Sequence, residues 1–397
     1  MIDDPMGIIT VLLVIEGAIL YAAGRRGARR LFKYAPAMFW IYFLPMLANT
    51  IGLIPPRDGA SGEVITPVYG QIAAYCLPAS LVLLLVSVDL RAIYRLGAVA
   101  IAVMLAGSLG TLIGGPVVML IFGRWLPAEI WSGIGALSAS WMGGSSNMIA
   151  VAESVGTPEK IYGTMIVTDT IIPYAWMGLL ILLSAHQERF DRWNHARSDI
   201  LDDLKRRAAG AAETESEPIT LRHVVVIFAL AAVGTYAAIQ LAGLLPVVPR
   251  MVSRSAWAIV LATALGLAGS FTPAARLERF GASTIGYGLL YFVLASIGAR
   301  TSLTSLAGAP LMIVVGLVWV LIHGAFILAA GRIFHAPMAL MAAASQANMG
   351  GTASAPVVAQ IYHAGLAPVG LLLAVFGSIV GTYLGIFCAH ICRFLSQ

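Results

Sequence analysis

A chain of 397 residues that is 59% apolar and only 11% charged, with a mean hydropathy of +0.88, lies far from a soluble domain, where apolar types make up about 45–50% and charged types about 25%. Disorder, a nucleic-acid binder and an ordinary cytosolic enzyme are excluded. The net charge of +5, from 24 Lys and Arg against 19 Asp and Glu, sits in short basic stretches beside apolar runs, as in positive-inside membrane loops.

Apolar stretches long enough to cross about 30 Å of hydrocarbon, at about 20 residues each, run at 7–23, 35–54, 70–88, 96–123, 161–184, 221–245, 255–272, 283–298, 309–331 and 366–392. They predict ten spans of an all-α polytopic membrane protein. The start, MIDDPMG, lacks the basic region of a cleaved signal peptide, and RRGARRLFK follows the first span; the first helix is therefore expected to be retained, with its N-terminus outside. Two further apolar segments, 128–154 and 336–362, are each broken near the centre by a Gly pair among small polar residues. Residues 186–220 form the one long polar stretch, expected to be a solvated cytoplasmic linker between 1–185 and 221–397. Cys76, Cys388 and Cys392 all lie in apolar segments and offer neither a disulfide framework nor a metal motif.

The two halves are related. SASWMGGSSNMIAVAES (138–154) recurs as SQANMGGTASAPVVAQ (345–360), and VSVDLRAI (86–93) is echoed by ASIGARTSL (295–303). Gly350 follows Gly143 by 207 residues and Arg300 follows Arg91 by 209. A weak internal repeat in a polytopic chain marks secondary transporters, with the site at the repeat interface near mid-membrane. Charge decides what the broken segments do. If all twelve segments cross, Lys and Arg divide 11 inside and 13 outside; if each Gly-Gly segment enters and leaves by one face, they divide 17 and 7, as the positive-inside rule requires. The expected fold is two inverted repeats, each of five spans plus one re-entrant hairpin, with a broken helix that crosses fully as the lesser option.

A Gly-Gly break at membrane depth exposes backbone that must line protein or a watery cavity, because unpaired N–H and C=O groups facing lipid cost several kcal/mol. In the first hairpin, Gly143 and Gly144 free the chain to turn, and Ser145, Ser146 and Asn147 open the returning half-helix with N–H groups and a positive dipole end, which suits an anion. In the second, Ser345, Gln346 and Asn348 precede Gly350 and Gly351, and Thr352 and Ser354 follow. Pro356 has no N–H, so the Thr352 carbonyl loses its helical donor and can face an ion. Amides, hydroxyls and loose carbonyls are the oxygen ligands of a hard cation such as Na⁺. The plain structural reading is that these amides only join helices. Asp169, an acid nine residues into the fifth span, has apolar Phe376 at its repeat position, so the repeat does not require it; intramembrane acids are usually paired, protonated or functional. Pro173 frees its carbonyl, bringing carboxylate, carbonyl and the hydroxyls of Thr168 or Thr170 together. Glu16 lies away from the hairpins in sequence, and His323 reads as a satisfied core histidine. There is no Walker loop, Rossmann fingerprint, HExxH or GxSxG, so neither ATP-driven transport nor hydrolysis has visible machinery. The chain is expected not to be an enzyme, to need no cofactor beyond a coupling Na⁺, and to draw on an ion gradient.

The motif pair WMGGSSN and ANMGGTASAP, the IGAR element and the polar linker resemble, over nearly the whole chain, the YjcL-like family of uncharacterised bacterial membrane proteins. More distantly, five spans plus a Gly-Gly hairpin per half is similar to the glutamate:sodium and citrate:sodium symporters, and to the broken helices of the bile acid:sodium symporters. In those relatives the broken segments carry sodium and substrate, which by resemblance implies Asn147 and Ser145 in one repeat and Gln346, Asn348 and Thr352 in the other. The resemblance further implies a homodimer in a bacterial inner membrane, with a mobile core moving against a scaffold. This chain has no acid in the second hairpin and no Arg beside either motif to clamp a dicarboxylate.

The expected function is therefore sodium-coupled symport of a small organic solute, an anion among those the dipole ends would suit. Solute binding is assigned to Ser145, Ser146, Asn147, Asn348, Thr352 and Ser354, and ion binding to Asn147, Thr168, Asp169, Ser345, Gln346 and Thr352. Two other functions fit the same residues: a cation/proton antiporter with Asp169 as the exchange carboxylate, or a membrane receptor or partner subunit whose linker signals.

Overall fold

The computed structural model describes residues 2–25, 27, 32, 37–54, 68–89, 93–94, 96–197, 199–201, 203–204, 217–247, 253–300, 309–363 and 365–396. Their regular structure is helical, with short 3-10 turns and no strand among the described residues. The helices are α1 (Pro5–Ala23), α2 (Ala37–Thr50), α3 (Val68–Val86), α4 (Gly97–Phe122), α5 (Ile130–Gly143), α6 (Ser145–Val155), α7 (Glu159–Leu183), α8 (Gln187–Asn194), α9 (Leu221–Leu244), α10 (Arg254–Gly269), α11 (Ala282–Ala299), α12 (Ala309–Ile333), α13 (Met338–Tyr362) and α14 (Ala367–Leu395). Their starts follow the local chemistry. Asp4 caps α1 by accepting the Gly7 N–H at 2.7 Å, with Pro5 in the first turn, and Ser253 caps α10 through the Ala256 N–H; each satisfies a donor that the helix itself leaves unpaired.

Eight of the described helices are long and apolar enough to cross a membrane. The sequence predicts ten; α2, of 14 residues, falls short, and α10, of 16, reaches the length only together with the 3-10 segment that follows it, as one bent span. In α10 the apolar run reaches Pro273, where the chain turns by 93° into a 3-10 segment, Pro273–Phe280; a proline cannot continue the helix it meets.

The packing traces the course of the broken segments. A side chain at Gly133 of α5 would strike Ile161 and Met165 of α7, and Trp141 bonds Asp169, so α5 runs parallel to α7. Against α14 it runs antiparallel, with Arg393 over the Trp131 ring and Gly143 against Gly377. Then α6 turns back along α14, Asn147 beside Gly381 and Val151 beside Gly385. The segment enters and leaves at the end where α7 begins. In α13, the Met338 N–H bonds Asp191 beyond the far end of α7, Ser345 meets Trp176, and Tyr362 returns to the carbonyl of Leu180. Gln346 donates across the turn to Ser354 at 2.8 Å. This segment doubles back from the opposite end.

Two groups of helices result. α3 packs on α9, α10 and α11, with α2 also on α11 and α1 against α2 and α11; the two hairpins pack with α4, α7, α12 and α14. The start of the 186–220 segment is not the solvated strip that its charges suggest. Asn194 is buried and donates to the carbonyls of Gly331 and Ala336, and Ile200, Leu201 and Leu204 are buried, so it docks at the base of the second hairpin. Residues 205–216 lie outside the described residues, as do Arg91 and 301–303 of the second repeat motif.

Candidate solute and ion site

Both turns form at a single residue. Gly144 has φ 89°, ψ 170° and Gly351 has φ 61°, ψ −154°, a region essentially reserved for glycine. The two turns meet: a methyl built on Gly351 would lie 3.6 Å from Gly144 Cα. The other glycine of the first pair serves close approach, since a methyl on Gly143 would come 2.6 Å from the carbonyl oxygen of Gly377.

Beside the two tips lies a cavity of about 330 Å³. Its hairpin wall holds Ser145, Ser146, Gln346, Thr352 and Ser354, with Asp169 of α7 among them. Asp169 accepts from Trp141 Nε1 at 3.0 Å and from Ser145 Oγ at 3.3 Å. Gln346 is buried, and although its amide nitrogen reaches Ser354, its Oε1 has no hydrogen-bond partner. A buried acceptor left bare costs about 1–3 kcal/mol. Pro173 and Pro356 sit inside α7 and α13 and leave the carbonyls of Asp169 and Thr352 without their helical donors.

Four sequence-assigned residues turn away from this cavity. Asn147 is buried; it donates to the Gly143 carbonyl at 2.7 Å and accepts from Thr382 at 2.5 Å, fastening the first hairpin to α14. Asn348 donates to the Met104 carbonyl and accepts from Ser108 at 2.8 Å, fastening the second to α4. Ser345 accepts from Trp176 Nε1 at 2.8 Å and lies 2.9 Å from Nε2 of His323. Because His323 Nδ1 faces the Gly107 carbonyl at 2.9 Å, a neutral ring protonated on Nδ1 satisfies the whole chain of bonds. Thr168 returns its hydroxyl to the Thr164 carbonyl, with its methyl toward Gly316 of α12. Asn147→Ala would strand the Thr382 hydroxyl in a buried place. It is expected to lower stability by about 2 kcal/mol in thermal unfolding of the detergent-solubilised protein, without removing any ligand group from the cavity.

Sequence reasoning missed Ser378, which lines the cavity and donates to the Gly143 carbonyl at 3.0 Å, and the aromatic wall of Phe39, Tyr174, Tyr287 and Tyr291. Ser378, Phe39, Tyr287 and Tyr291 carry no local signal, since α2, α11 and α14 reach the site only through tertiary packing, whereas Tyr174 stands on α7, five residues after Asp169. Glu16 is buried on α1, in the other helix group.

The chain matches, over residues 10–395, the profile of a family described as a protein of unknown function (DUF819). It is also similar to the uncharacterized membrane protein YjcL of Bacillus subtilis (strain 168), at 24% identity over 391 residues, an alignment covering 94% of each chain.

Proposed function

For this chain, which belongs to the DUF819 family, we propose a secondary active transporter of inverted-repeat fold that couples Na⁺ entry to uptake of a small organic solute. The observation that carries this reading is the meeting of two glycine-turned tips beside a cavity holding Asp169 and the unpartnered oxygen of Gln346. Such a place offers a hard cation a carboxylate, an amide oxygen, the hydroxyl of Thr352 and released carbonyls, while the first turn of α6 aims N–H groups and a positive dipole end at the same space. Ion and solute together satisfy polar groups that otherwise face a cavity. Coupling is then their differential affinity for two arrangements of the hairpin group against the α1–α3 and α9–α11 group. The same proposal places the protein as a homodimer in a bacterial inner membrane with 186–220 on the cytoplasmic face, in line with the bias of Lys and Arg toward that face.

Sodium is expected to raise the unfolding temperature of the purified protein, with potassium at equal ionic strength as control; a ligand at 100 times its Kd adds about 2.7 kcal/mol. Gln346→Ala and Asp169→Asn are each expected to abolish the sodium response. An undiminished response in both would overturn the site, and an equal response to potassium would overturn sodium coupling. If a sodium gradient dissipates a proton gradient in liposomes without added solute, the protein is instead an antiporter working through Asp169.

A further inference from the structure

Resting on the transport reading of the same cavity, we propose that the transported solute carries an ammonium group, as a small zwitterion or quaternary amine, rather than being a simple carboxylate anion. The lining contains one charged side chain, Asp169, and no Lys, Arg or His among the described residues. A solute bearing only negative charge would meet a like charge there and no side-chain cation to offset it, and like charges at close quarters in a low-dielectric site repel strongly. With sodium on Asp169 the side-chain charge of the site sums to zero, which matches a zwitterion and still leaves a lone anion no side-chain cation to pair with.

The lining also holds five aromatic side chains that could attract a positive group. They are Phe39 of α2, Tyr162 and Tyr174 of α7, and Tyr287 and Tyr291 of α11, and the rings of Tyr287 and Tyr291 stand 6.1 Å apart, centroid to centroid. Aromatic faces attract ammonium groups through their quadrupole, and desolvated sites give the largest effect. The same lining includes the N-terminal turn of α6, where Ser145 and Ser146 open the helix and can take a carboxylate on backbone N–H groups. The buried, unpartnered Oε1 of Gln346 is an acceptor, and so asks for a donor or a cation rather than for another anion. At about 330 Å³ the cavity is at the small end of ligand pockets.

The test compares solutes of equal shape that differ in one positive charge: alanine with isobutyrate, glycine betaine with 3,3-dimethylbutyrate, and choline with 3,3-dimethylbutanol. Each is titrated in sodium buffer against the unfolding temperature of the full-length protein. At least one nitrogen-bearing member is expected to reach half-saturation at a concentration ten-fold or more below its carbon isostere. Tyr291→Leu is expected to remove that difference while the sodium response stays, and Tyr291→Phe, which keeps the ring, to retain it. Equal responses within every pair, or stronger responses to the carboxylate isosteres, overturn the proposal. A sodium response with no response to any nitrogen-bearing probe also overturns it and leaves the transport reading standing; silence to sodium and to all six probes sinks both.

Discussion

Gly351→Ala is expected to lower the stability of the protein by about 2–3 kcal/mol and to abolish its response to sodium, and Gly144→Ala to do the same. Space is not the obstacle. A methyl on Gly144 meets nothing within 4 Å, and one on Gly351 meets only the Gly144 Cα, at 3.6 Å. The cost is in the backbone, because φ 61°, ψ −154° and φ 89°, ψ 170° are conformations an L side chain resists by roughly 1–3 kcal/mol each. If the chain escapes that cost by relaxing the turn, the tip moves, and with it Ser145, Thr352 and Ser354 on the cavity wall. Gly178 supplies the control: it lies in the helical interior of α7 with nothing within 4 Å of an added methyl, so Gly178→Ala is expected to cause no loss. Thermal unfolding with and without sodium reads all three variants. Parent-like behaviour in Gly351→Ala would mean that the turn has no role in holding the site.

Arg300→Met is expected to be the most damaging single substitution outside the cavity, at about 3–5 kcal/mol. The guanidinium is 6% exposed at the end of α11, with one nitrogen 2.6 Å from Glu153 Oε1 and another 3.6 Å from Glu159 Oε1. Burying charge is costly, and removing the cation leaves two partly buried carboxylates side by side without it. The neutral triple variant Arg300→Met, Glu153→Gln, Glu159→Gln is therefore expected to be more stable than the single one, since it also removes the two like charges that faced the cation. Lysine at 300 restores the charge but not the planar fork that reaches two carboxylates, and is expected to recover only part of the loss. Denaturant or thermal unfolding of the four proteins decides it; a single variant as stable as the parent would show the ion pairs to be idle.

Most helices were legible because hydrocarbon demands length and apolarity, both of which are local. The stretch 96–123 becomes Gly97–Phe122 and 221–245 becomes Leu221–Leu244. The breaks were legible too, since a Gly pair amid serines has few uses at membrane depth. What the amides do was not. Asn147 and Gln346 are both side-chain amides within four residues of a glycine pair, yet one is bound by Gly143 and Thr382 while the other keeps a bare oxygen at the cavity. The difference is made by residues 235 positions away on α14, and no spacing rule reaches that far. Ser378, Tyr287 and Tyr291 escaped notice for the same reason. The docking of Asn194 escaped because its partners, Gly331 and Ala336, are backbone carbonyls, which every sequence has in equal supply.

The covalent chain passes between the two helix groups three times, through 87–96, 195–220 and 300–308. At roughly 3.3 Å per extended residue, even the shortest of these tethers could reach about 30 Å, far more than a rigid-body slip of one helical turn, about 5 Å, would use. Covalent length alone would therefore not forbid such a slip, and non-covalent contacts between the groups would have to resist it. Arg300 opens the shortest tether and is bound to the tip-bearing group through Glu153 and Glu159. If the two groups move as proposed, that cluster, at the end of the molecule where α7 begins, is one of the ties the movement would have to break.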